Sequence, residues 1–504
     1  MRRIVEIFAL LLLANVLKAQ SNLGNRWIIG FYGYQIDFNT SVVLHDTTLF
    51  NPILLYESGH SNVCDTNGGL LLCSDGMHVS NHTGAILDGG DTLTTPFFYS
   101  FSNSSSRYSQ SSIFLPMANN IYYLVTPTAN DTMVNNYWLT NTNGNFNLLN
   151  HHLIDMNANG GAGKVIKRMQ PLLENRWMDK TQMMACRHAN GKDWWLLKKA
   201  GILGNDSNAI FTFLFTQDSV YDYGIQTIPF PRNEAFWQDF PGQMKFNQSG
   251  TQMATTVNNG LHEFYLSDFD RCTGKLNNFK KIKIPILGGD SSSNGLAFSP
   301  NGRFLYVTQY TNIYQYDLQD TNQSTAWYYV YGIDTTASEF AYYKSIDLAP
   351  DGKMYLGHKN GFSRQMSVID NPDLPWSSCG FCRKCLRSEA VFGYFGTAPT
   401  MPNYSLGAMV PCWPLGINDG ETNEVELKLY PNPASDNLTI ELPYNTKKAQ
   451  VVIYSMLGEM VLSLSSEKIK NSKVELSVKQ LARTLYSVRI NADGESFVSK
   501  FLKE

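Results

Sequence analysis

Charge is what this 504-residue sequence has least of. Asp, Glu, Lys and Arg together make up 16% of it, and 40 basic against 43 acidic residues leave a formal net charge of -3. No basic field is present to gather phosphates, so nucleic acid is excluded as an expected partner. Long apolar runs are missing beyond the first twenty residues, so no later segment is expected to cross a bilayer as a helix. No His-Glu-x-x-His helix and no Ser-centred nucleophile elbow occurs. No Cys follows the first twenty residues closely, so a lipid anchor is not indicated, and no motif implies a cofactor.

What the sequence does hold is apolar and aromatic matter: 43% hydrophobic residues, 27 Tyr, 28 Phe and 38 Gly. That supports a packed core and favours strands with tight turns over helices. The length predicts two or more domains. Arg2 and Arg3 ahead of the apolar stretch Ile4 to Leu17, with Ala19 before Gln20, read as a signal peptide over 1–19.

One local pattern recurs. A polar turn bearing Asn-Gly, Asp-Gly or a close variant precedes an apolar run at Asn67, Asn119, Asn190, Gly250, Asn301 and Asp351. Gly or Asn supplies the positive φ of a tight hairpin, and the run after it is strand. The spacing of roughly 50 to 70 residues is that of propeller blades. The fold class expected is therefore all-β: a seven-bladed β-propeller over 21–415, with an elongated sandwich array as the alternative. Residues 25–33 and Ala398 to Gly407 are expected to complete one blade between them. A linker at 416–423 leads to a small β-sandwich over 424–504, where short alternating strands follow one another.

Eight Cys in an exported chain predict disulfides. If Gly68 and Gly69 are the two turn residues of a hairpin, Cys64 and Cys73 lie opposite each other and are expected to bond. Cys186 and Cys272 form a possible long-range pair. Cys379, Cys382, Cys385 and Cys412 leave three pairings open, with a zinc site as the lesser alternative.

Other motifs are weak. Asp155-Met-Asn-Ala-Asn-Gly begins like a calcium loop but has Ile166 at the twelfth position, so a tight turn is expected. Gly160-Gly-Ala-Gly-Lys lacks the Ser or Thr of a phosphate loop. His188 near Asp193 and Trp194 is better read as turn and blade packing than as an acid–base pair. His151 and His152 point to opposite faces of a strand and do not grip one metal. The sequons at Asn103 and Asn130 read as chance surface sites.

Two blocks of residues carry family resemblances. Leu429-Tyr430-Pro431-Asn432-Pro433-Ala434, Ile453 to Val461 with Gly458, Leu481, Tyr486 to Ile490, and Lys500 to the end occur in order. They resemble the type A-like C-terminal sorting domain of Bacteroidota type IX secretion cargo. One departure is Thr484, where that family usually has Gly. The resemblance implies passage through the type IX machinery, removal of the domain, and surface attachment or release. The stretch 25–412, through Phe298-Ser-Pro-Asn-Gly and Leu348-Ala-Pro-Asp-Gly-Lys among others, resembles exported proteins with WD40/YVTN-like propellers. That implies a fold and a location and no reaction. The function expected is non-catalytic binding or adhesion at the cell surface, toward a glycan, peptide or protein. An extracellular propeller enzyme and a structural surface component are the alternatives.

Overall fold

The computed structural model describes residues 22–30, 33–40, 54–56, 58–102, 106, 108–140, 144–201, 208–230, 242–256, 262–285, 294–332, 342–358, 363–387, 396–409, 428–442, 446, 449–455, 460–466, 473–492 and 495–504. The signal peptide, the 416–423 linker, Asn103, Cys412 and Gly458 lie outside them. Two compact units result. One comprises the described residues up to Arg187 and from Lys192 to Leu406; the other comprises the turn His188–Gly191 and the described residues from Gly407 onward.

The first unit is a propeller. β1 (Arg26–Ile29) and β2 (Tyr34–Asp37) form a hairpin, and β3 (Ser61–Cys64), β4 (Leu70–Ser74) and β5 (Val79–Asn81) a three-stranded sheet. Next come β6 (Ile113–Pro116), β7 (Ile121–Thr128), β8 (Phe146–Asp155), β9 (Lys164–Arg187), β10 (Trp194–Ala200), β11 (Ala209–Phe215) and β12 (Val220–Thr227), hydrogen-bonded in sequence. Three four-stranded meanders follow. The first is β13 (Met244–Phe246), β14 (Gln252–Thr256), β15 (Glu263–Asp270) and β16 (Lys275–Lys283). The second is β17 (Gly295–Phe298), β18 (Phe304–Gln309), β19 (Asn312–Asp317) and β20 (Trp327–Tyr331). The third is β21 (Tyr343–Leu348), β22 (Met354–His358), β23 (Gln365–Ile369) and β24 (Phe381–Arg387).

The seven-stranded sheet is two blades joined by β9. Its first half pairs with β8 and alternates mostly exposed residues; its second half, from Met178, pairs with β10 and is buried. One strand is thus the outer edge of one blade and the inner edge of the next. The innermost strands β1, β3, β6, β9, β13, β17 and β21 touch one another in that order. The ring closes where Trp27 and Phe38 of the first hairpin stack edge-on against Tyr355 of β22. Seven blades are present.

Each repeat turn falls at the same place. Gly68, Asn119, Gly191, Gly250, Gly302 and Gly352 all have positive φ, and each turn joins the innermost strand of its blade to the second. Gly fits because an L side chain there is strained. Side-chain amides then fasten neighbouring inner strands, whose outward edges otherwise carry unpaired backbone groups. Asn62 accepts from Ile28 N at 3.1 Å and donates to Arg26 O at 2.8 Å. Asn294 donates to Tyr343 O at 3.2 Å, and Gln110, ahead of β6, reaches the non-adjacent β13, accepting from Met244 N and donating to Met244 O, both at 2.8 Å. Between blades the fill is aromatic: Trp194 and Trp195 are fully buried, with Nε1 atoms donating to Pro116 O and Arg271 O.

Two expectations are corrected. Ala398 to Gly407 forms no strand; β1 and β2 come from the start of the chain alone, and the prolines at 399 and 402 have no N–H to give to a ladder. Cys64 and Cys73 are buried free thiols. The turn between them is centred earlier than Gly68-Gly69, because Asp65 Oδ1 accepts from Asn67 N at 2.8 Å and Gly69 N at 2.9 Å. The register then sets Cys73 opposite Asn62 and Cys64 opposite Leu70.

The second unit is a sandwich. β25 (Lys428–Tyr430), β26 (Asn437–Glu441) and β29 (Lys473–Ser477) make one sheet. β28 (Met460–Ser466), β27 (Ala449–Tyr454), β30 (Leu485–Ala492) and β31 (Glu495–Leu502) make the other. Leu438, Ile440, Val451, Ile453, Val488, Ile490 and Phe501 form its core, the inward half of each alternating strand.

Candidate functional site

The central channel of the propeller opens into a cavity of about 400 Å³. Inner strands or their turns from five blades line it: Trp27, Cys186, Lys245, Ala297 and Asp347 each come from a different one. The segment 399–406 forms one wall. It is tied in place by Asn403, which donates to Gln248 O at 3.0 Å, and Tyr404, whose hydroxyl donates to Phe114 O at 3.2 Å.

Charge enters the channel at one point. Lys245 Nζ on β13 donates to Asp347 Oδ1 on β21 at 2.5 Å. The intervening β17 presents Ala297, a side chain too small to separate them. Gln243 organises the three strands. Its Nε2 donates to Asp347 Oδ1 at 3.2 Å, and its Oε1 accepts from Leu296 N at 3.0 Å and Ile346 N at 3.2 Å. Lys245 keeps 17% of its side chain exposed and Asp347 only 7%, so the lysine is the charged group a ligand reaches. Phe246, Phe298, Trp27 and Tyr404 add apolar wall. Cys186 lies in the wall as well, and burial pushes its thiol up to about 12.

The lining contains a single carboxylate, Asp347, among its described residues. Glycoside hydrolysis of the usual kind needs two flanking the scissile bond. Among the described residues, no group of three or more His, Cys, Asp or Glu is placed to hold a metal ion.

Apart from Cys186, the residues singled out from sequence lie elsewhere. His188 is buried, and its Nδ1 accepts from Asn190 N at 3.0 Å within the turn. His152 accepts from Met169 N at 3.0 Å and meets Thr126 Oγ1 at 3.0 Å, while His151 packs on Tyr123, so the two rings do face apart. Asp155 Oδ1 accepts from Asn157 N at 2.8 Å, a tight turn. Lys164 begins β9 and pairs with Asp88 at 2.8 Å rather than following a phosphate loop. Asn130 Oδ1 caps the short helix after it by accepting from Met133 N. Cys186 is free, and Cys272 is disulfide-bonded, so the two are not partners. Cys379 is a buried free thiol, Cys382 a half-buried one and Cys385 an exposed one.

In the second unit the motif residues have a structural job. Asn432 sits between two prolines that cannot donate from the backbone. Its side chain does the pairing instead: Nδ2 donates to Lys500 O at 3.2 Å and Oδ1 accepts from Leu502 N at 2.8 Å. Tyr430 lies under the Lys473 ammonium. Tyr486 stacks on Phe501 and donates to Ala482 O at 2.9 Å. Thr484 still serves the end of the chain, its carbonyl accepting from Lys503 N at 2.9 Å.

Residues 428–504 match the family described as the secretion system C-terminal sorting domain. The protein is type IX secretion cargo. Its destination is extracellular or surface-attached, and no described helix is long and apolar enough to cross a membrane. No curated protein matches the sequence. Among solved structures, a protein from Lactobacillus plantarum is 12% identical, with 76% of this chain and 98% of that one covered at a TM-score of 0.41. A putative 6-phosphogluconolactonase from Bacteroides uniformis is 13% identical, with 74% and 90% covered at 0.34. The Dos1 propeller is 10% identical, with 59% and 70% covered at 0.32. Likenesses this distant assign no activity to the cargo.

Proposed function

We propose that this cargo is a non-catalytic binding or adhesion protein whose propeller takes an extracellular glycan or peptide at the channel mouth. On this reading, 1–19 is a signal peptide for the first membrane, 21–415 is the delivered domain, and the portion from 424 is the address, read by the type IX machinery of a Bacteroidota cell. The observation that carries it is the cavity at the channel: walls from five blades, an aromatic lining, and one reachable cation, Lys245, held by Oδ1 of Asp347. Convergent polar groups in an apolar pocket favour binding. A single carboxylate in the lining lacks the second group of the usual acid–base pair.

The test is a pull-down of the full chain on insoluble glycans and polymers, scoring retained protein and soluble product together. Retention without product, lost in Ser405→Trp, which puts a large side chain at the exposed cavity wall, is the expected result. Release of product overturns the non-catalytic reading.

A further inference from the structure

The outermost strand of the last blade carries a feature separate from the channel and independent of the binding reading. β24 and β23 pair at Ile369↔Phe381 and Val368↔Cys382, and again at Met366↔Leu386 and Gln365↔Arg387. Between these pairs Ser367 alone faces Arg383, Lys384 and Cys385. The extra residues form a bulge, with Lys384 at a φ of 53°. Ser367 fixes it, its Oγ accepting from Lys384 N at 3.0 Å.

The bulge folds the chain back so that Cys385 Sγ reaches Cys382 O at 3.3 Å. The two thiols are also in hydrogen-bonding contact, and burial first, with the Cys382 thiol second, pushes Cys385 up to about 12. Cys382 is half-buried and Cys385 exposed, so the pair is open to reagents from outside. The third cysteine of the cluster is not available to either: Cys379 is fully buried and bonds with the Tyr306 hydroxyl. Cys64, Cys73 and Cys186 are buried in other blades.

We propose that Cys382 and Cys385 close into a disulfide across this bulge when the protein leaves the reducing cytoplasm. The oxidant class is a small or protein disulfide, acting by exchange. One of the two thiols, as its thiolate, attacks a sulfur of the donor and expels a donor thiolate, leaving a mixed disulfide. The other thiolate attacks the sulfur of that mixed disulfide and expels the second donor thiolate. The two protons lost by the cysteines pass to the two donor thiolates; the cysteines are oxidised and the donor reduced. The raised pKa of Cys385 makes its sulfur a poor leaving group, so exchange that would expel it from the closed bond is slowed. It would lock the only segment of β24 that leaves the ladder.

The test uses the full chain, incubated with oxidised glutathione, then unfolded in an alkylating reagent and mapped by mass spectrometry. The expected result is a 382–385 peptide that is unalkylated and lighter by roughly 2 Da, the two hydrogens lost on oxidation, and that takes two labels after reduction. Cys64, Cys73, Cys186 and Cys379 label without reduction. In untreated Cys382→Ser, Cys385 labels on unfolding without reduction. Labelling of both Cys382 and Cys385 in the unreduced wild-type chain overturns the proposal. So does a cross-link from either to a different cysteine, or a Cys385 that stays unlabelled in unfolded, unreduced Cys382→Ser.

Discussion

The propeller and the sorting domain hold their working residues in opposite ways. In the sorting domain the motif is local: Tyr430, Asn432 and Tyr486 lie in short blocks, and their roles are to fasten the first and last strands of one small sandwich. In the propeller the working residues come from separate blades. Lys245 and Asp347 are 102 residues apart in sequence and meet only because the ring closes. A domain recognised by machinery can keep its signature in one place. A channel site assembled blade by blade cannot, and this is why the destination of the protein is readable while its ligand is a proposal.

The sharpest way to break the comparison is through the aromatic fill. Trp195→Ala removes a fully buried indole and leaves Arg271 O without its donor. It should cost the propeller about 3–5 kcal/mol, seen in denaturant unfolding as a lowered first midpoint, with the sorting-domain transition unmoved. A shared shift of both transitions would deny that the units are separate.

Acid should separate them too. All nine His lie before residue 428. Burial holds His60 and His152 down to about 3, and His151 and His358 down to about 4. These rings stay neutral in the folded state while the unfolded chain binds protons below about 6.5. Propeller stability is therefore full above that pH and lost progressively as pH falls toward 4 and 3. His78, which Asp75 holds up against burial, offsets part of this. The sorting domain has no such group, so its stability should be flat from pH 7 to about 5, followed by circular dichroism on the isolated transition.

Within the sorting domain, Asn432→Ala removes both side-chain bonds to β31 and should cost about 1–2 kcal/mol. It should also reduce the exported fraction, measured by fractionation. The smallest effect compares two turns of one kind. Gly302→Ala at φ 74° meets no atom within 4 Å, so only backbone strain of about 1 kcal/mol is expected. Gly250→Ala at φ 69° adds a clash with Cys186 Sγ and Leu406 at 2.7 Å and should cost more. Equal effects would show that the neighbours of Gly250 give way and that only the shared backbone strain counts.

Much of the fold was legible because the repeat turns are chemically constrained: each of the six stands at the inner hairpin of its blade. Two misreadings have local causes. The Asp65 side chain captured two backbone N–H groups and moved the turn, which no strand alternation reveals. Pro399 and Pro402 withheld donors from the segment expected to be strand. The channel pair was missed, although a signal existed. Lys245 and Asp347 each stand five residues before the turn glycine of their blade, where the other blades have Val63, Cys186 and Ala297. A charge at that offset is out of place on a buried inner strand, and aligning the blades on their turns would have exposed it.

The most direct test of the division between address and cargo is to express the chain with and without residues 428–504 in a bacterium that has type IX secretion, and to measure the propeller in cells and medium. The account predicts that the full chain reaches the surface or medium while the truncated chain stays inside, folded, with the same acid and denaturant midpoints as the propeller transition of the whole protein. Export of the truncated chain at the full-length level would contradict it.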